Sequence, residues 1–524
     1  MRRRIPFLLL CLLLAAVLMP AAAQEAEEFP GIENVMIQRP LEKLDLGEGA
    51  FTLTFQDNKR NAPAYAVDLS LAGDWSVQGW VRGSQVFIAA SGGVNAGENC
   101  DGMFSHPMLR GITFGGAFYT GDATSMRGMF EGCEKMMTLN LRELDTRNVT
   151  DMTRMFAGCK GLRQLDMRGW DTSAVTDMSE MFMGCESMVL IDITHLDVSS
   201  VRTMRRMFAD CRGLSGIGLE GLNASNVADM SGMFMGCQRL ESLEMSGLDT
   251  SSVVDMSYMF SGCEALEKPD FSGWNTARVA NMSYMFSGCA AMTALDVSGL
   301  DTGNAVDMKG MFSGCGKLRR LDAPNWDTGR VTDMSEMFMG CAALEFVDIS
   351  AWNTARVVDL SRMFMGCDRL VGLDVSYWDV SRAVRTERMF MGCAGLKKLD
   401  ISRWDTSRVV NAQGMFMGCA GIKKLDISRW NTARMADISE MFKGCAALEE
   451  VDVSKWDTGA LGKLSGTFRG CPKLRTPDIS AWKLGQVNDP EKNWAEFLDE
   501  GHIIGGLPWQ EYMLAKRSNE EAAS

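Results

Sequence analysis

Trp170-Asp171-Thr172-Ser173-Ala174-Val175-Thr176-Asp177-Met178-Ser179-Glu180-Met181-Phe182-Met183-Gly184-Cys185 is the stretch that settles the architecture, because it returns along the chain. Its closing cysteine belongs to a column: Cys133, Cys159, Cys185, Cys211, Cys237, Cys263, Cys289, Cys315, Cys341, Cys367, Cys393, Cys419, Cys445 and Cys471, each 26 residues after the last. No insertion or deletion interrupts the series. A fixed period in this range marks a repeat protein, whose unit is too small to bury its own apolar face and buries it against its neighbours.

Residue types predict the path of each unit. Around Leu396, Leu399, Asp400, Ile401 and Ser402 apolar and polar residues alternate, which predicts a strand with Leu399 and Ile401 inward. Trp404-Asp405-Thr406-Ser407 reads as a turn in which the Asp side chain bonds backbone two residues on. Asp177 to Cys185 predicts a short helix, with Asp177 as N-cap, Glu180 completing a capping box and Gly184 ending it in the left-handed conformation. Met178, Met181 and Phe182 would share one face. The expectation is an α/β solenoid of about fifteen 26-residue turns, each one short strand plus one short helix. It spans residues 103–487, from a degenerate turn at Met103-Phe104, with Pro107 at the cysteine position, to Trp482.

Flanking segments read as caps for the terminal apolar faces. Residues 24–102 carry strand-like runs, Phe51-Thr52-Leu53-Thr54-Phe55 and Gln85-Val86-Phe87-Ile88, and predict a β-rich N-terminal cap. Residues 488–524 predict a helical cap, with starts at Asp489-Pro490-Glu491 and Leu507-Pro508-Trp509. Before them, Arg2-Arg3-Arg4, an apolar run from Ile5 to Met19 and Ala21-Ala22-Ala23 have the parts of a secretory signal peptide, residues 1–23, cut before Gln24. The run is shorter than the roughly 20 residues of a membrane span. The expected location is therefore secreted or cell surface, with no transmembrane anchor after signal removal. Losing the three arginines takes the net charge from −14 to −17. That acidity argues against nucleic acid as a partner, since phosphates require clustered Lys and Arg.

Phe390-Met391-Gly392-Cys393-Ala394-Gly395-Leu396-Lys397-Lys398-Leu399, recurring across residues 103–487, resembles the bacterial surface proteins with 26-residue repeats, the BspA-type leucine-rich-repeat group. The resemblance implies a leucine-rich-repeat-like fold, an extracellular or cell-surface location, and a role in adhesion or in binding a protein partner or host matrix component. It implies no catalytic residue.

Each column has competing readings. The cysteines precede an inward Leu by three and follow a Gly, a core position, which favours buried free thiols; disulfides between adjacent turns and bound metal are the alternatives. In the strand, Asp348, Ser350, Asp374, Ser376, Asp400, Ser402, Asp426 and Ser428 face outward, which favours a solvated face; a binding ribbon is the alternative and these are its candidate residues. Stacked like charges repel, so Lys398, Lys424, Arg403 and Arg429 neutralise the aspartates, or a basic partner or calcium does. Asp151, Asp177, Asp229, Asp255, Asp307, Asp333, Asp359 and Asp437 read as helix caps, and the interchange of Asp171 and Asp405 with Asn275 and Asn431 reads as turn bonding. Trp170, Trp274, Trp326, Trp352, Trp378, Trp404, Trp430, Trp456 and Trp482 stand where other turns hold Leu144, Leu196 or Leu248, which favours core filling; an exposed track stacking glycans is the alternative. Met183, Met235, Met339, Met365, Met391 and Met417 follow Phe at the edge of the core.

No catalytic residue, metal set or cofactor motif stands out. The histidines are His106, His195 and His502, each alone in sequence. The expected function is non-catalytic binding; the alternatives are a glycan-binding module and a polysaccharide-active enzyme working through paired carboxylates.

Overall fold

The computed structural model describes residues 33–524, apart from 220, 244–247, 272, 490–492, 495, 500–501, 505–506 and 524. The signal-peptide segment, residues 1–23, lies outside the described residues. Residues 34–524 form one compact unit with a continuous apolar core running from Met36 to Met513.

Two kinds of parallel pairing link the repeats, one of strands broken into short runs and one of continuous single bridges; Leu399 and Ile401, expected in a strand, are buried but lie in no strand. One is the predicted strand: Ala294–Asp296, Arg320–Asp322 and Phe346–Asp348 pair in register, residue 26 on residue 26, with Leu295, Leu321 and Val347 inward. Equivalent pairs join Thr138–Asn140 to Gln164–Asp166 and Leu190–Asp192 to Gly216–Gly218. The other ladder is a chain of single parallel bridges through Ser125, Asp151, Asp177, Thr203 and onward to Asp437 and Lys463.

The segment expected to be helical is not a helix; between Asn99 and residue 489 no described residue is helical. The reason lies in the backbone donors. The N–H groups of Met178, Glu180, Phe182 and Gly184 each donate to a carbonyl of the next repeat, those of Thr203, Arg205, Met207 and Ala209, at 2.7 to 3.1 Å. Alternate donors are thus committed sideways and cannot close the i→i−4 bonds of a helix. The remaining donors close short turns, Met181 to Met178 and Met183 to Glu180. Glu180 sits at φ +58° and therefore closes no capping box. Met178, Met181 and Phe182 are fully buried nonetheless, so the apolar spacing is satisfied by a string of turns.

Gly184 is left-handed, φ +73°, as are its equivalents from Gly132 to Gly470, and this is where a Cβ would be strained. Asp210 occupies one rung of that column at φ +57°. A second left-handed column lies four residues earlier and tolerates side chains: Arg154, Glu180, Arg206, Tyr258, Tyr284, Glu336, Arg362, Arg388 and Glu440 all have positive φ.

The interior is built of ladders. Phenylalanine rings stack repeat on repeat, from 5.2 Å between Phe182 and Phe208 to 5.8 Å between Phe234 and Phe260, with planes nearly parallel. A buried threonine column adds an inter-repeat hydrogen bond: Thr172 Oγ1 donates to the Asp197 carbonyl at 2.8 Å and Thr328 Oγ1 to that of Asn353 at 3.0 Å.

At the N-terminal end a five-stranded sheet runs in the order Val67–Asp68, Val77–Arg82, Gln85–Ala90, Phe51–Gln56, Leu109–Thr113. Both strand-like runs noted above lie in it, paired in parallel. At the other end Phe497 takes the place of the next repeat: its carbonyl accepts the Phe468 N–H at 2.8 Å, and its ring packs edge-on to Phe468 and Trp482. The helix Trp509–Ala523 follows, with Pro508 immediately before it and not in its first turn.

Candidate functional site

The strand face carries the residues expected to form a binding ribbon, and their carboxylates are already engaged. Ser350 Oγ donates to Asp348 Oδ1 at 2.9 Å, Ser376 to Asp374 at 2.7 Å, Ser402 to Asp400 at 2.8 Å and Ser428 to Asp426 at 2.7 Å. In each pair the serine N–H donates to the same oxygen. These bonds favour the ionised form, and the Asp374 and Asp400 carboxyls lie below the ordinary carboxylate range for that reason. The column is a row of self-closed Asp-x-Ser turns. Lys424 ion-pairs with Glu450 at 3.3 Å, not with an aspartate of this row, and Arg403 lies over Tyr377.

What the structure adds on this face is apolar. Phe346 is 43% exposed, Val371 61% and Tyr377 77%. They lie in two consecutive repeats, interleaved with Asp348, Ser350, Asp374 and Ser376. The Phe346 ring lies across Gly372, where a Cβ would come within 2.9 Å of it, and the Arg320 guanidinium stands 5.3 Å from its centroid. Arg403 stands 6.0 Å from the Tyr377 ring. The three-strand ladder ends here: beyond Phe346–Asp348 the single bridge is Phe346 to Gly372. A signal for this cluster did exist in the sequence. The positions of Phe346 and Val371 hold Lys397, Lys398, Lys423, Lys424, Glu449 and Glu450 in later repeats and Met137, Val189 and Leu190 in earlier ones, so the apolar pair stands out only against the repeats that follow.

The remaining columns resolve as follows. All fifteen described cysteines are free and buried, and from Cys133 onward each thiol donates to the carbonyl of the phenylalanine 29 residues earlier, as Cys159 does to Phe130 at 3.1 Å. Burial pushes the Cys211, Cys263 and Cys315 thiols up to about 12. The Asp177 column caps turns instead of helices: Asp177 Oδ1 accepts the Ser179 N–H at 2.7 Å and Asp333 that of Ser335 at 2.8 Å. Asp171 and Asn275 accept the N–H two residues on, at 3.0 and 3.2 Å, so Asp and Asn serve alike. The tryptophans are buried, and most point the indole N–H inward, as Trp404 does to the Val375 carbonyl at 3.1 Å. An exposed tryptophan track for glycans is thereby overturned: the ring faces are spent in the core. Met183, Met339, Met365, Met391 and Met417 are half-buried.

The left-handed column of charged and aromatic residues makes its own surface ladder. Arg154 bridges Glu131 and Glu180, Arg362 pairs with Glu336 at 3.1 Å, and Tyr258 stacks on Tyr284 at 4.9 Å. Tyr284 passes over Gly310, whose missing Cβ leaves room, and its hydroxyl donates to Glu336 at 2.9 Å.

The described surface includes two shallow concavities. One of about 290 Å³ is lined by Arg163, Glu186, Ser187, Val189, Gly213 and Arg239; the other, about 430 Å³, lies by Thr54, Asp57, Asn58 and Thr113. Each has one carboxylate in its lining and no histidine. Among the described residues, no group of three His, Cys, Asp or Glu is arranged to hold a metal ion, and no helix is long and apolar enough to cross a membrane.

No curated protein matches the chain. Solved structures similar to it include TLR13 in its complex with ssRNA13, at 15% identity over 75% of this chain and a TM-score of 0.23. This chain spans 58% of the TLR13 chain. A leucine-rich-repeat protein of Leptospira interrogans is similar at 9% identity, over 77% of this chain and 95% of that one, with a TM-score of 0.22. The functional domain of InlJ from Listeria monocytogenes, described as including a cysteine ladder, is similar at 11% identity over 72% and 67%, TM-score 0.19. The profile described as "Mycoplasma protein of unknown function, DUF285" matches residues 124–216, 212–322, 306–425 and 392–499. Those segments together cover more than half of the sequence, and the chain belongs to that family.

Proposed function

We propose that this protein is a non-catalytic scaffold of the BspA-type leucine-rich-repeat kind, a solenoid that binds a protein partner or matrix component at its strand face. The signal-peptide pattern of residues 1–23 supports a secreted or cell-surface location. One observation carries the binding reading: Phe346, Val371 and Tyr377 are each exposed in two consecutive repeats, with Arg320 and Arg403 against the two rings. Aromatic residues and arginine are the side chains that dominate binding energy at protein interfaces, at the centre of a patch rimmed by polar groups. The Asp-x-Ser turns of Asp348–Ser350 and Asp374–Ser376 supply that polar rim. Their carboxylates hold a fixed direction, so they select orientation at little entropic cost.

The test is a Phe346→Ala, Tyr377→Ala double variant, assayed with the wild type against a panel of immobilised matrix proteins. For a partner bound by the wild type, affinity should fall about tenfold or more, the loss expected for two central aromatic contacts. Unchanged affinity, with the circular dichroism spectrum also unchanged, would place the interface elsewhere.

A further inference from the structure

A second surface lies on a different edge of the repeat, four residues after the tryptophan. Arg330, Arg356, Arg382, Arg408 and Arg434 occupy the same position in five consecutive repeats, and all five are exposed. Strand-like pairing of the neighbouring ladder sets them about 4.8 Å apart along the stack. Among the described residues, Arg356, Arg382, Arg408 and Arg434 have no ion-pair partner, while Arg330 donates to the Asn304 side chain. In three of the five repeats an aspartate precedes the arginine by three residues (Asp327, Asp379 and Asp405); each carboxylate accepts the amide of its own turn and keeps its charge, which at Asp379 is offset in part by Arg382. In the other two repeats that position is Asn353 and Asn431, which carry no charge.

The fold does not require arginine there. Other repeats hold Ala174, Ser200 and Ser252, and where the residue is asparagine its amide is used internally: Asn226 Nδ2 donates to the Ser199 carbonyl and Asn304 to that of Ala277. Among the described residues, Arg356, Arg382, Arg408 and Arg434 make no such internal bond, and Arg330 bonds only the Asn304 side chain of its own column. A row of like charges at one-repeat spacing repels itself, so it stabilises nothing in the free protein. Beside the row, two residues on, Val358 stands exposed and Val384 and Val410 half-buried. An arginine comb edged by small apolar side chains matches a linear chain that carries an anion at each step and presents C–H faces between them.

We propose that this comb binds a linear acidic polysaccharide, its carboxylate or sulfate groups taken one per repeat by successive guanidinium groups, which suit planar bidentate recognition of such anions. This site is separate from the strand face, and either can fail without the other. The chain as a whole carries a net charge of −14, so bulk attraction would not draw in a polyanion and any binding must come from a local site.

Polygalacturonate, heparin, dextran and poly-L-glutamate are titrated into the mature protein and into an R356Q/R382Q/R408Q variant. Binding of polygalacturonate or heparin, weakening steeply with salt and falling about tenfold or more in the variant, is the expected result. Dextran should not bind. The proposal is overturned if neither acidic polysaccharide binds, if the variant binds them as well as the wild type, or if poly-L-glutamate binds as tightly as they do. These side chains are exposed and their position tolerates neutral residues, so the variant should fold; its unfolding midpoint should match the wild type. An R163Q/R239Q variant, altered elsewhere on the surface, should retain polysaccharide affinity.

Discussion

Mild alkali should destabilise this protein through its thiols. Thirteen of the buried cysteines are held above the ordinary thiol value of 9.0, mainly by burial, or by a neighbouring thiol together with burial at Cys159 and Cys445. A folded-state value raised above the unfolded one favours folding fully below the unfolded value, and the advantage disappears as pH rises through the folded one. The window therefore opens near pH 8 and extends toward about 12. In the unfolded chain a thiol of ordinary acidity gains about 0.4 kcal/mol by ionising at pH 9, which the folded chain cannot match. Leaving out the Cys445–Cys471 pair, whose shifts oppose each other, the loss over the other twelve thiols between pH 7 and pH 9 is about 5 kcal/mol, a large share of the roughly 5–15 kcal/mol that stabilises a typical domain. Urea unfolding in reducing buffer, followed by tryptophan fluorescence at pH 7, 8 and 9, would read it. Less than about 1 kcal/mol between pH 7 and 9 would refute the buried-thiol ladder, as would a denatured, unreduced sample lacking free thiols.

Two substitutions test the ladders individually. Asp210→Gly should stabilise the protein by up to about 1 kcal/mol, since the position is left-handed, and Asp210→Ala should destabilise it; urea midpoints of the pair decide. Thr328→Val should cost about 1–2 kcal/mol by leaving the Asn353 carbonyl without its buried donor, while Thr328→Ser should retain most of that stability. If valine and serine behave alike, the hydroxyl is not the stabilising group.

Much of the interior was legible because the period alone superposes equivalent residues. Cys, Phe, Met and Trp at constant spacing could bury only against their own copies, and they do. Helix was a misreading with a definite cause. Met178, Met181 and Phe182 at i, i+3 and i+4 specify which residues point inward, but not where the backbone donors go. The strand aspartates are exposed or half-buried, yet their carboxylates are closed on their own serines, which local sequence spacing hints at and only tertiary structure shows. The exposed side chains of Phe346, Val371 and Tyr377 are not legible from what every repeat shares, because they lie where repeats differ.

From residue order alone came the 26-residue repeat, the identity of its inward columns and the need for each repeat to rest on the next, because burial of apolar side chains follows from periodicity. Tertiary structure decided how the backbone meets that need. Donors shared between neighbouring repeats outcompete donors within one, so turns replace helices, two left-handed columns appear, and the side chains left outside (the Phe346 cluster and the arginine row) acquire neighbours that no single repeat contains.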